Sequence, residues 1–361
     1  MLDYKKTYTL PFKFEIPNYT KIFLNNRSSI YTWIKYIKRY LYILVKGQKS
    51  LEVFMISNKH QNILWINFSA PSLGDSLMDL SSRTLLADKK IDLLTDKNNA
   101  NLYKDDLFFS SIFTSSNEVI KKNYDLVIID SFSTKSINIK VISARATNFV
   151  GLYGYFNGPE VNRVLFSFHK MNKLLGYPNT KTEIDNKAKS SMTISTFDKG
   201  VVQSLKLPNF FIAIVIGGEW DYRIYKNWAT VIERLLLKDS NLHLILLGSE
   251  NAKAAEQEIL EKFTTPRLIS YVSKFSFNQT AQIISQANFL FCCDGGLMHA
   301  ANALGTNIIP LFARLEPEMQ LTASCNSFPL FDLFDVNNIS TEDVMRKYTE
   351  ATNSDHNHPQ F

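Results

Sequence analysis

The sequence feature best suited to chemistry is a glycine-containing turn that directly follows a short apolar run. The run covers residues 288–293 (NFLFCC), and residues 294–301 (DGGLMHAA) come next and open a predicted helix. A strand that turns into a helix through glycines presents free backbone N–H groups and the positive end of the helix dipole, which favour a phosphate. Gly295, Gly296 and Leu297 are therefore candidate phosphate-binding residues, although a tight structural turn would need the same glycines.

The sequence alone does not decide what two side chains of this turn, Asp294 and His299, do. Asp294 could accept a hydrogen bond from a sugar hydroxyl, or it could cap the helix by accepting a backbone N–H. His299 lies one turn inside the predicted helix, where a histidine is more often packed than catalytic. We therefore assign His299 to the ligand-binding set.

A second post-strand turn carries a carboxylate. Residues 72–77 (SLGDSL) follow the apolar run 62–68 (NILWINF) and precede a predicted helix. Ligands bind at the carboxyl ends of parallel strands, so Asp75, beside Gly74, is expected to face a cleft between two domains. A general base there could take a proton from an acceptor hydroxyl, an effect typically worth about 10²- to 10⁴-fold in rate. The alternative, an aspartate that caps the helix, is slightly favoured by the residue pattern alone.

A third post-strand loop carries cations. Residues 217–228 (GGEWDYRIYKNW) follow the apolar run 210–216, with Gly218 in the turn. Arg223 or Lys226 could neutralise the charge of a diphosphate leaving group as its bond breaks. Either cation could instead be a solvated surface residue, and the pattern does not choose between these roles.

Other chemical signals are weaker or missing. Glu250 ends the next predicted strand and could accept hydrogen bonds from ribose hydroxyls. The sequence has no Asp-x-Asp pair, no HExxH and no GxxxxGK[ST] motif, so it supports neither a metal-bridged diphosphate site nor a P-loop kinase. Any diphosphate would be held by backbone amides and cations without a metal or other cofactor. Three cysteines are too few for a disulfide framework and favour a reducing, cytoplasmic compartment.

The elements that must position these loops form two alternating series of strands and helices. A chain of 361 residues with 45% hydrophobic residues is long enough for two domains. The pattern predicts an α/β protein with two doubly wound parallel sheets, whose domains are residues 61–205 and 206–340, with residues 176–208 as an interdomain connection and 341–361 as a C-terminal segment with a polar tail. The predicted strands are 62–68, 90–95, 124–130, 210–216, 242–247, 268–272, 288–293 and 307–311, and the predicted helices are 77–87, 225–237, 252–263, 278–286 and 297–304.

Residues 1–60 form a basic N-terminal extension. Eleven Lys or Arg stand there against three acidic residues, a local charge of +8 in a chain of formal net charge +6. Apolar residues recur at helical spacing and predict an amphipathic helix: Ile30, Trp33, Ile34, Ile37, Leu41 and Leu44. This helix could anchor the chain on an anionic membrane surface or simply pack on the main fold, whereas nucleic acid is not expected as a partner. No secretory signal or membrane-spanning run is predicted.

The order of elements and three motifs resemble glycosyltransferase family 9, the ADP-heptose:lipopolysaccharide heptosyltransferases. The resemblance extends from about residue 62 to about residue 340. Its motifs are residues 73–77, Arg223 and Tyr225 with 227–228, and residues 294–306, and shorter similarities lie at 150–153 and 174–177.

The resemblance implies a GT-B architecture, two Rossmann-like domains facing a central cleft, and an inverting, metal-independent transfer from a nucleotide-diphosphate sugar. It implies that Asp75 is the catalytic base and that Arg223 lies near the diphosphate. By the same resemblance Asp294, with its two glycines, contacts the phosphates and donor sugar, and Phe275 lies by the nucleotide base.

The sequence also departs from the family pattern. The basic residue is an arginine rather than the commoner lysine, the loop after Tyr225 is short, and Ala252 occupies the position expected to be acidic, leaving Glu250 as its substitute. The implied reaction moves heptose from ADP-heptose onto a lipid-linked lipopolysaccharide or lipooligosaccharide core acceptor, by a cytoplasmic enzyme that is peripheral to the inner membrane. The alternatives are a hexosyl- or N-acetylhexosaminyltransferase that uses a UDP-sugar, and a non-catalytic nucleotide-sugar-binding scaffold.

Overall fold

The computed structural model of the chain describes residues 12, 14–24, 29–68, 70, 72–130, 133–151 and 161–355. Of the sequence predictions, motif residues 152–153 and the tail 356–361 lie outside this part of the chain. The chain divides into two compact units. Unit 1 contains Met1–Thr193 and Glu318–Ser324, and unit 2 contains Ile194–Pro317 and Cys325–Phe361. The division after Thr193 falls within the segment 176–208 that was predicted to connect two domains.

Unit 1 contains a five-stranded parallel sheet of order β3-β2-β1-β4-β5. The strands are β1 Asn62–Asn67, β2 Lys90–Thr95, β3 Ser111–Phe113, β4 Leu126–Ile129 and β5 Phe149–Gly151. The helices are α1 Asn18–Leu24, α2 Ser29–Val45, α3 Leu73–Asp79, α4 Lys97–Ala100, α5 Thr134–Ala144, α6 Arg163–Leu175 and α7 Lys181–Lys187. Five of the six residues in β1 and in β2 are buried, as expected for a parallel sheet that is covered on both faces.

Unit 2 contains a six-stranded parallel sheet of order β11-β10-β9-β6-β7-β8. The strands are β6 Phe211–Val215, β7 His243–Leu247, β8 Leu268–Ser270, β9 Phe289–Cys293, β10 Ile308–Ala313 and β11 Leu330–Asp332. The helices are α8 Thr196–Gln203, α9 Trp228–Lys238, α10 Lys253–Lys262, α11 Phe277–Ser285, α12 Gly296–Leu304 and α13 Thr341–Asp355. Because β10, β9 and β6 are neighbours, the residues that follow these three strands meet at one edge of the sheet.

The eight predicted strands are all present, with ends shifted by up to two residues, and three short strands (β3, β5 and β11) were not predicted. The predicted helix 77–87 is wrong. Helix α3 ends at Asp79 and a 3-10 helix follows over Ser81–Leu86. In this segment Arg83 is fully buried and its guanidinium pairs with Asp106, a tertiary contact that periodicity does not reveal.

The segment 176–208 is more than a connection, because it contains α7 and α8. Each helix is capped by a hydroxyl side chain. Thr180 Oγ1 accepts a hydrogen bond from the Glu183 N–H, and Ser195 Oγ accepts one from the Asp198 N–H. Such caps stabilise short helices by about 1 kcal/mol, which helps to explain helix formation in a polar segment. Helix α9 begins at Trp228 rather than at the predicted Tyr225, whose buried hydroxyl donates to a backbone carbonyl.

The predicted N-terminal helix is present as α2, and one side of it packs on unit 1. Ile43 is fully buried in a cluster with Leu64, Val127 and Phe149. On the predicted apolar face, however, Ile34, Leu41 and Leu44 are exposed. Ile43, which lies outside the predicted apolar face, therefore contacts the core of unit 1, whereas three of the six residues of that face are exposed. The side chains of Ile30 and Trp33 lie outside the described part of the chain.

Two lysines of unit 1 are buried and predict a pH dependence of stability. Lys140 donates hydrogen bonds to the Gln48 side chain and, at 3.0 Å, to the Arg145 carbonyl. Burial lowers the pKa of Lys140 and of Lys170 to about 8. In the unfolded chain a lysine titrates near pH 10.4. At these two lysines, the unfolded state therefore binds more protons than the folded state above about pH 8.

We expect these lysines to make the free energy of unfolding rise with pH between about 8 and 10, by on the order of 1 kcal/mol each. Cys292 and Cys293 act in the opposite direction, because burial raises the pKa of each thiol. Comparing wild type with Lys140→Met by urea unfolding at several pH values isolates the lysine, since the cysteines contribute equally to both. The wild type should gain stability relative to the variant as the pH rises, and a pH-independent difference would contradict the prediction.

Candidate functional site

In unit 1 Asp75 lies in the first turn of α3, after the carboxyl end of β1. The N-cap of this helix is Ser72, not Asp75, because the Ser72 Oγ accepts the Asp75 N–H at 3.2 Å. The same hydroxyl donates to Asp75 Oδ2 at 2.7 Å. The Asp75 carboxylate is therefore oriented by its neighbour but not consumed as the helix cap, and 22% of its side chain remains exposed.

An arginine that carried no sequence signal holds the other carboxylate oxygen. Arg163, the first residue of α6, places Nη1 3.4 Å from Asp75 Oδ1. The same guanidinium binds Asp79 through both carboxylate oxygens, with Nε donating to Oδ1 at 2.7 Å. Asn162 caps α6 and also donates to the backbone carbonyls of Glu318 and Leu321 at 3.0 and 2.8 Å. Arg163 thus links the two aspartates of α3.

Beneath α3 lies a buried carboxyl group at the end of β4. Asp130 accepts hydrogen bonds from the Trp65 indole and from the Asn67 side-chain amide. Ser76 of α3 donates to Asn67 Oδ1 at 3.1 Å and so joins the helix to this group. Burial, and next the negative charge of Asp79, raise the pKa of Asp130 well above its usual range. Asp130 and the Arg163–Asp79 pair therefore interact electrostatically within unit 1.

In unit 2 the residue after β9 is a buried, ion-paired aspartate. Asp294 is only 7% exposed, and its Oδ2 lies 3.0 Å from Arg223 Nη1. The two groups are not aligned as a hydrogen bond, so Oδ2 is buried without a hydrogen-bond donor. His299 Nε2 lies 3.9 Å from the other carboxylate oxygen. Asp294 does not cap α12, whose N-cap is Gly295.

The N-terminus of α12 carries no side-chain cap. Gly295 is the N-cap, Gly296 is the first helical residue, and Leu297 is half-buried. A Cβ atom built on Gly295 would meet no protein atom within 4 Å. Packing therefore does not require glycine here, and the missing side chain leaves open space beside the first N–H groups of the helix, where an anion is favoured.

A second arginine, which the sequence analysis missed, follows the neighbouring strand β10. The Arg314 guanidinium carbon lies 3.8 Å from the centre of the Tyr222 ring, and that of Arg223 lies 5.4 Å from it. Arg314 has a backbone φ of +66°, a left-handed conformation that costs a non-glycine residue roughly 1 kcal/mol. The guanidinium groups of Arg223 and Arg314 thus both lie against the Tyr222 ring, in the loop after β6. The only sequence signal of Arg314 is its position directly after a strand.

Gly218 and Lys226 occupy the loop after β6. A Cβ atom on Gly218 would lie 3.0 Å from the Arg223 carbonyl oxygen, so the glycine allows the loop to fold closely over itself. The Gly218 carbonyl accepts a hydrogen bond from Asn251 Nδ2 at 2.7 Å. The Lys226 side chain is exposed, whereas its backbone N–H donates to Asn337. Of the two predicted cations, the structure brings Arg223 to Asp294.

Glu250 and Phe275 lie beyond the carboxyl ends of β7 and β8. Glu250 accepts a hydrogen bond from Ser273 Oγ at 2.6 Å. The Phe275 ring packs edge-to-face on Tyr271 with the ring centres 5.3 Å apart. Ala252 is buried, and a Cβ atom built on Gly248 would lie only 2.6 Å from the Ala252 Cβ, so Gly248 allows the two backbone segments of this loop to pack closely.

The described part of the chain contains neither a cluster of metal-ligating side chains nor a helix that could span a membrane. Among those residues no three His, Cys, Asp or Glu side chains come together in a way that could hold a metal ion. No helix among them is both long enough and apolar enough to cross a membrane.

One family model and several solved structures are similar to this chain. The family model "Glycosyltransferase family 9 (heptosyltransferase)" matches residues 155–327. No curated protein sequence matches the chain. Three solved structures are similar to it: a family 9 glycosyl transferase from Veillonella parvula (13% identity, TM-score 0.69, 83% of this chain and 99% of that chain), E. coli ADP-heptose lps heptosyltransferase II (15%, 0.66, 82% and 100%) and E. coli heptosyltransferase WaaC with ADP (16%, 0.60, 81% and 100%).

These findings confirm the predicted fold class and resemblance. The chain is an α/β protein with two parallel sheets in two Rossmann-like units, the GT-B-like fold of the heptosyltransferases. The sequence identities of 13% to 16% are too low to transfer a donor or an acceptor.

Proposed function

We propose that this chain is a heptosyltransferase-like glycosyltransferase of family 9, and that it transfers heptose from ADP-heptose to a lipopolysaccharide or lipooligosaccharide core acceptor with inversion at the anomeric carbon. The observation that carries the proposal is the uncapped N-terminus of α12 beside the Arg223–Asp294 pair, at one edge of the unit 2 sheet. E. coli heptosyltransferase II is named for ADP-heptose, and WaaC was solved with ADP. Both names support adenine as the base of the donor nucleotide.

Unit 2 supplies the groups that would bind the donor diphosphate. The N–H groups of Gly296 and Leu297 and the positive end of α12 favour the phosphates, and Arg223 adds a full positive charge. As the bond to the sugar breaks, negative charge grows on the leaving diphosphate, so these fixed groups stabilise the transition state more than the ground state. The buried Asp294 Oδ2, which accepts no hydrogen bond from the described residues, is suited to accept one from a hydroxyl group of the transferred sugar.

Unit 1 supplies the proposed base. The Asp75 carboxylate takes the proton of an acceptor hydroxyl, whose oxygen then attacks the anomeric carbon. The carbon–oxygen bond to the diphosphate breaks, the nucleoside diphosphate leaves with the electron pair, and the proton remains on Asp75. Ser72 and Arg163 each contact one carboxylate oxygen and so hold the base in one orientation. Gly74, which is buried in the first turn of α3 beside Asp75, is proposed to belong to the residues that bind the donor.

The remaining predicted residues are assigned to the donor. Glu250 is proposed to accept ribose hydroxyls, Phe275 to lie beside the nucleotide base, and Gly218, Lys226 and His299 to line the phosphates and sugar. We propose that amides and arginines neutralise the diphosphate without a metal ion or other cofactor. We propose that the reaction takes place in the cytoplasm, at the inner face of the inner membrane, where the enzyme could reach a lipid-linked acceptor.

The proposed transfer is tested by offering the enzyme ADP-heptose, UDP-glucose and UDP-N-acetylglucosamine in parallel, each with a heptose-deficient lipooligosaccharide acceptor and a chelator. Mass spectrometry should show addition of one heptose from ADP-heptose, with the chelator causing no loss of product. Addition of a hexose or N-acetylhexosamine instead would contradict the proposal that ADP-heptose is the donor and would favour the UDP-sugar alternative. Donor binding without any product would contradict transfer and favour a nucleotide-sugar-binding scaffold.

A further inference from the structure

The N-terminal part of unit 1 exposes an unusual number of large apolar side chains. Six of them lie on α2 or shortly after it, and their exposed fractions run from 43% to 83%. We call this set the α2 surface, and its members are Ile34, Leu41, Leu44, Val45, Phe54 and Met55. At 100° per residue, the four helical members lie within an arc of about 100° on one face of α2.

The α2 surface is not the face that packs on the protein. Ile43, which is fully buried in the core of unit 1, projects from roughly the opposite side of the helix. Next to it, Tyr42 donates a hydrogen bond from its hydroxyl to Asn138 of α5. Contacts on that side fix the helix to unit 1 and thereby direct its apolar face outwards.

Positive charge surrounds the α2 surface. Residues 29–60 contain six Lys or Arg and a single acidic residue, Glu52, a net charge of +5. Lys38 is exposed between Ile34 and Leu41 in the helical repeat. Lys49 lies over the rings of Tyr40 and Phe54, 5.6 and 5.9 Å from their centres. Apolar side chains flanked by cations and aromatic rings are typical of helices that lie in a membrane interface.

We infer that the α2 surface docks the enzyme on an anionic lipid surface, with α2 lying parallel to the membrane. The apolar side chains enter the boundary between headgroups and acyl chains, and the flanking lysines contact the anionic headgroups. No described helix is long and apolar enough to span the bilayer, so docking of this kind is peripheral. The inference rests on the exposed face and its charge, and it stands independently of the proposed sugar transfer.

The inference is tested by co-sedimentation of the full chain with vesicles of phosphatidylcholine mixed with phosphatidylglycerol. Wild type should bind them, and the double variant Leu41→Asp/Leu44→Asp should bind at least about tenfold more weakly. The matched control is Leu107→Asp/Leu237→Asp, which changes two leucines of comparable or greater exposure elsewhere and should bind like wild type. Pure phosphatidylcholine vesicles should bind more weakly, by roughly fivefold for each cation that loses its anionic partner.

Equal vesicle binding by wild type and the α2 double variant would overturn the inference, as would equal wild-type binding to neutral and anionic vesicles. A wild-type dimer that the same double variant dissociates, without vesicle binding, would overturn it by assigning the surface to a second copy of the chain. Unfolding in urea verifies that both double variants are folded. Transfer to a delipidated, water-soluble acceptor should be equal in wild type and in the α2 variant. If neither protein transferred sugar but the wild type still bound anionic vesicles more tightly than the α2 variant, only the proposed function would be contradicted.

Discussion

Replacing Asp75 with Asn is expected to lower the rate of sugar transfer by about 10²- to 10⁴-fold while leaving donor affinity nearly unchanged. The amide keeps the size of the carboxylate and can still accept the hydrogen bond from Ser72, but it cannot take a proton. Donor affinity is retained because the diphosphate is proposed to bind unit 2, whereas Asp75 belongs to unit 1. Initial rates measure the first effect, and calorimetry with ADP measures the second.

The matched control for this variant is Asp88→Asn. Asp88 is an exposed aspartate of the same unit, paired only with the adjacent Lys89, and its amide variant should transfer sugar like wild type. Asp75→Ala should be as inactive as Asp75→Asn, because both lack the base. Near-wild-type transfer by either Asp75 variant would remove the assignment of this residue as the base.

Replacing Arg223 with Ala is expected to lower kcat by about 10²-fold and to weaken donor binding. The guanidinium pairs with Asp294, the residue directly before Gly295, the N-cap of the uncapped helix α12. Without the guanidinium, the negative charge that is proposed to grow on the leaving diphosphate loses the positive charge that stabilises it. Rates at saturating and limiting donor separate the effect on kcat from the effect on binding.

The Arg223→Ala result needs a stability control, because the variant leaves the Asp294 carboxylate buried without its cation. Breaking a buried pair in this way can cost about 3–5 kcal/mol of folding free energy. Arg223→Lys keeps the charge and should retain more activity than Arg223→Ala if the charge acts on the diphosphate. Arg234→Ala is the surface control, since its exposed pair with Glu342 lies away from the sheet edge. Unchanged transfer by a folded Arg223→Ala enzyme would make Arg223 an ordinary surface cation.

For the candidate site residues that follow strands, the sequence predicted their placement after a strand, and their roles stay predictions. Asp75, Arg223 and Asp294 each come a few residues after an apolar run, and the carboxyl ends of parallel strands collect ligand-binding residues at one edge. Arg163 was not predictable in this way. It lies almost ninety residues from Asp75 in the chain, and only the packing of α6 against α3 brings its guanidinium to the two aspartates.

Periodicity predicted that α2 is a helix but not which side of it packs on the protein. Ile34, Leu41 and Leu44 of the apolar face read from the sequence are exposed, and Ile43, outside that face, enters the core. The predicted helix 77–87 failed for a related reason. Burial of Arg83 against Asp106 depends on residues more than twenty positions apart, so local spacing carries no information about it.

The account depends on a diphosphate that binds the N-terminus of α12 beside Arg223, and a crystal structure with an ADP-sugar or an unreactive analogue tests this most directly. We predict phosphate oxygens within hydrogen-bonding distance of the N–H groups of Gly296 and Leu297 and of the Arg223 guanidinium. A diphosphate bound elsewhere, with Arg223 still paired to Asp294 and the start of α12 in contact with water only, would contradict the proposed chemistry.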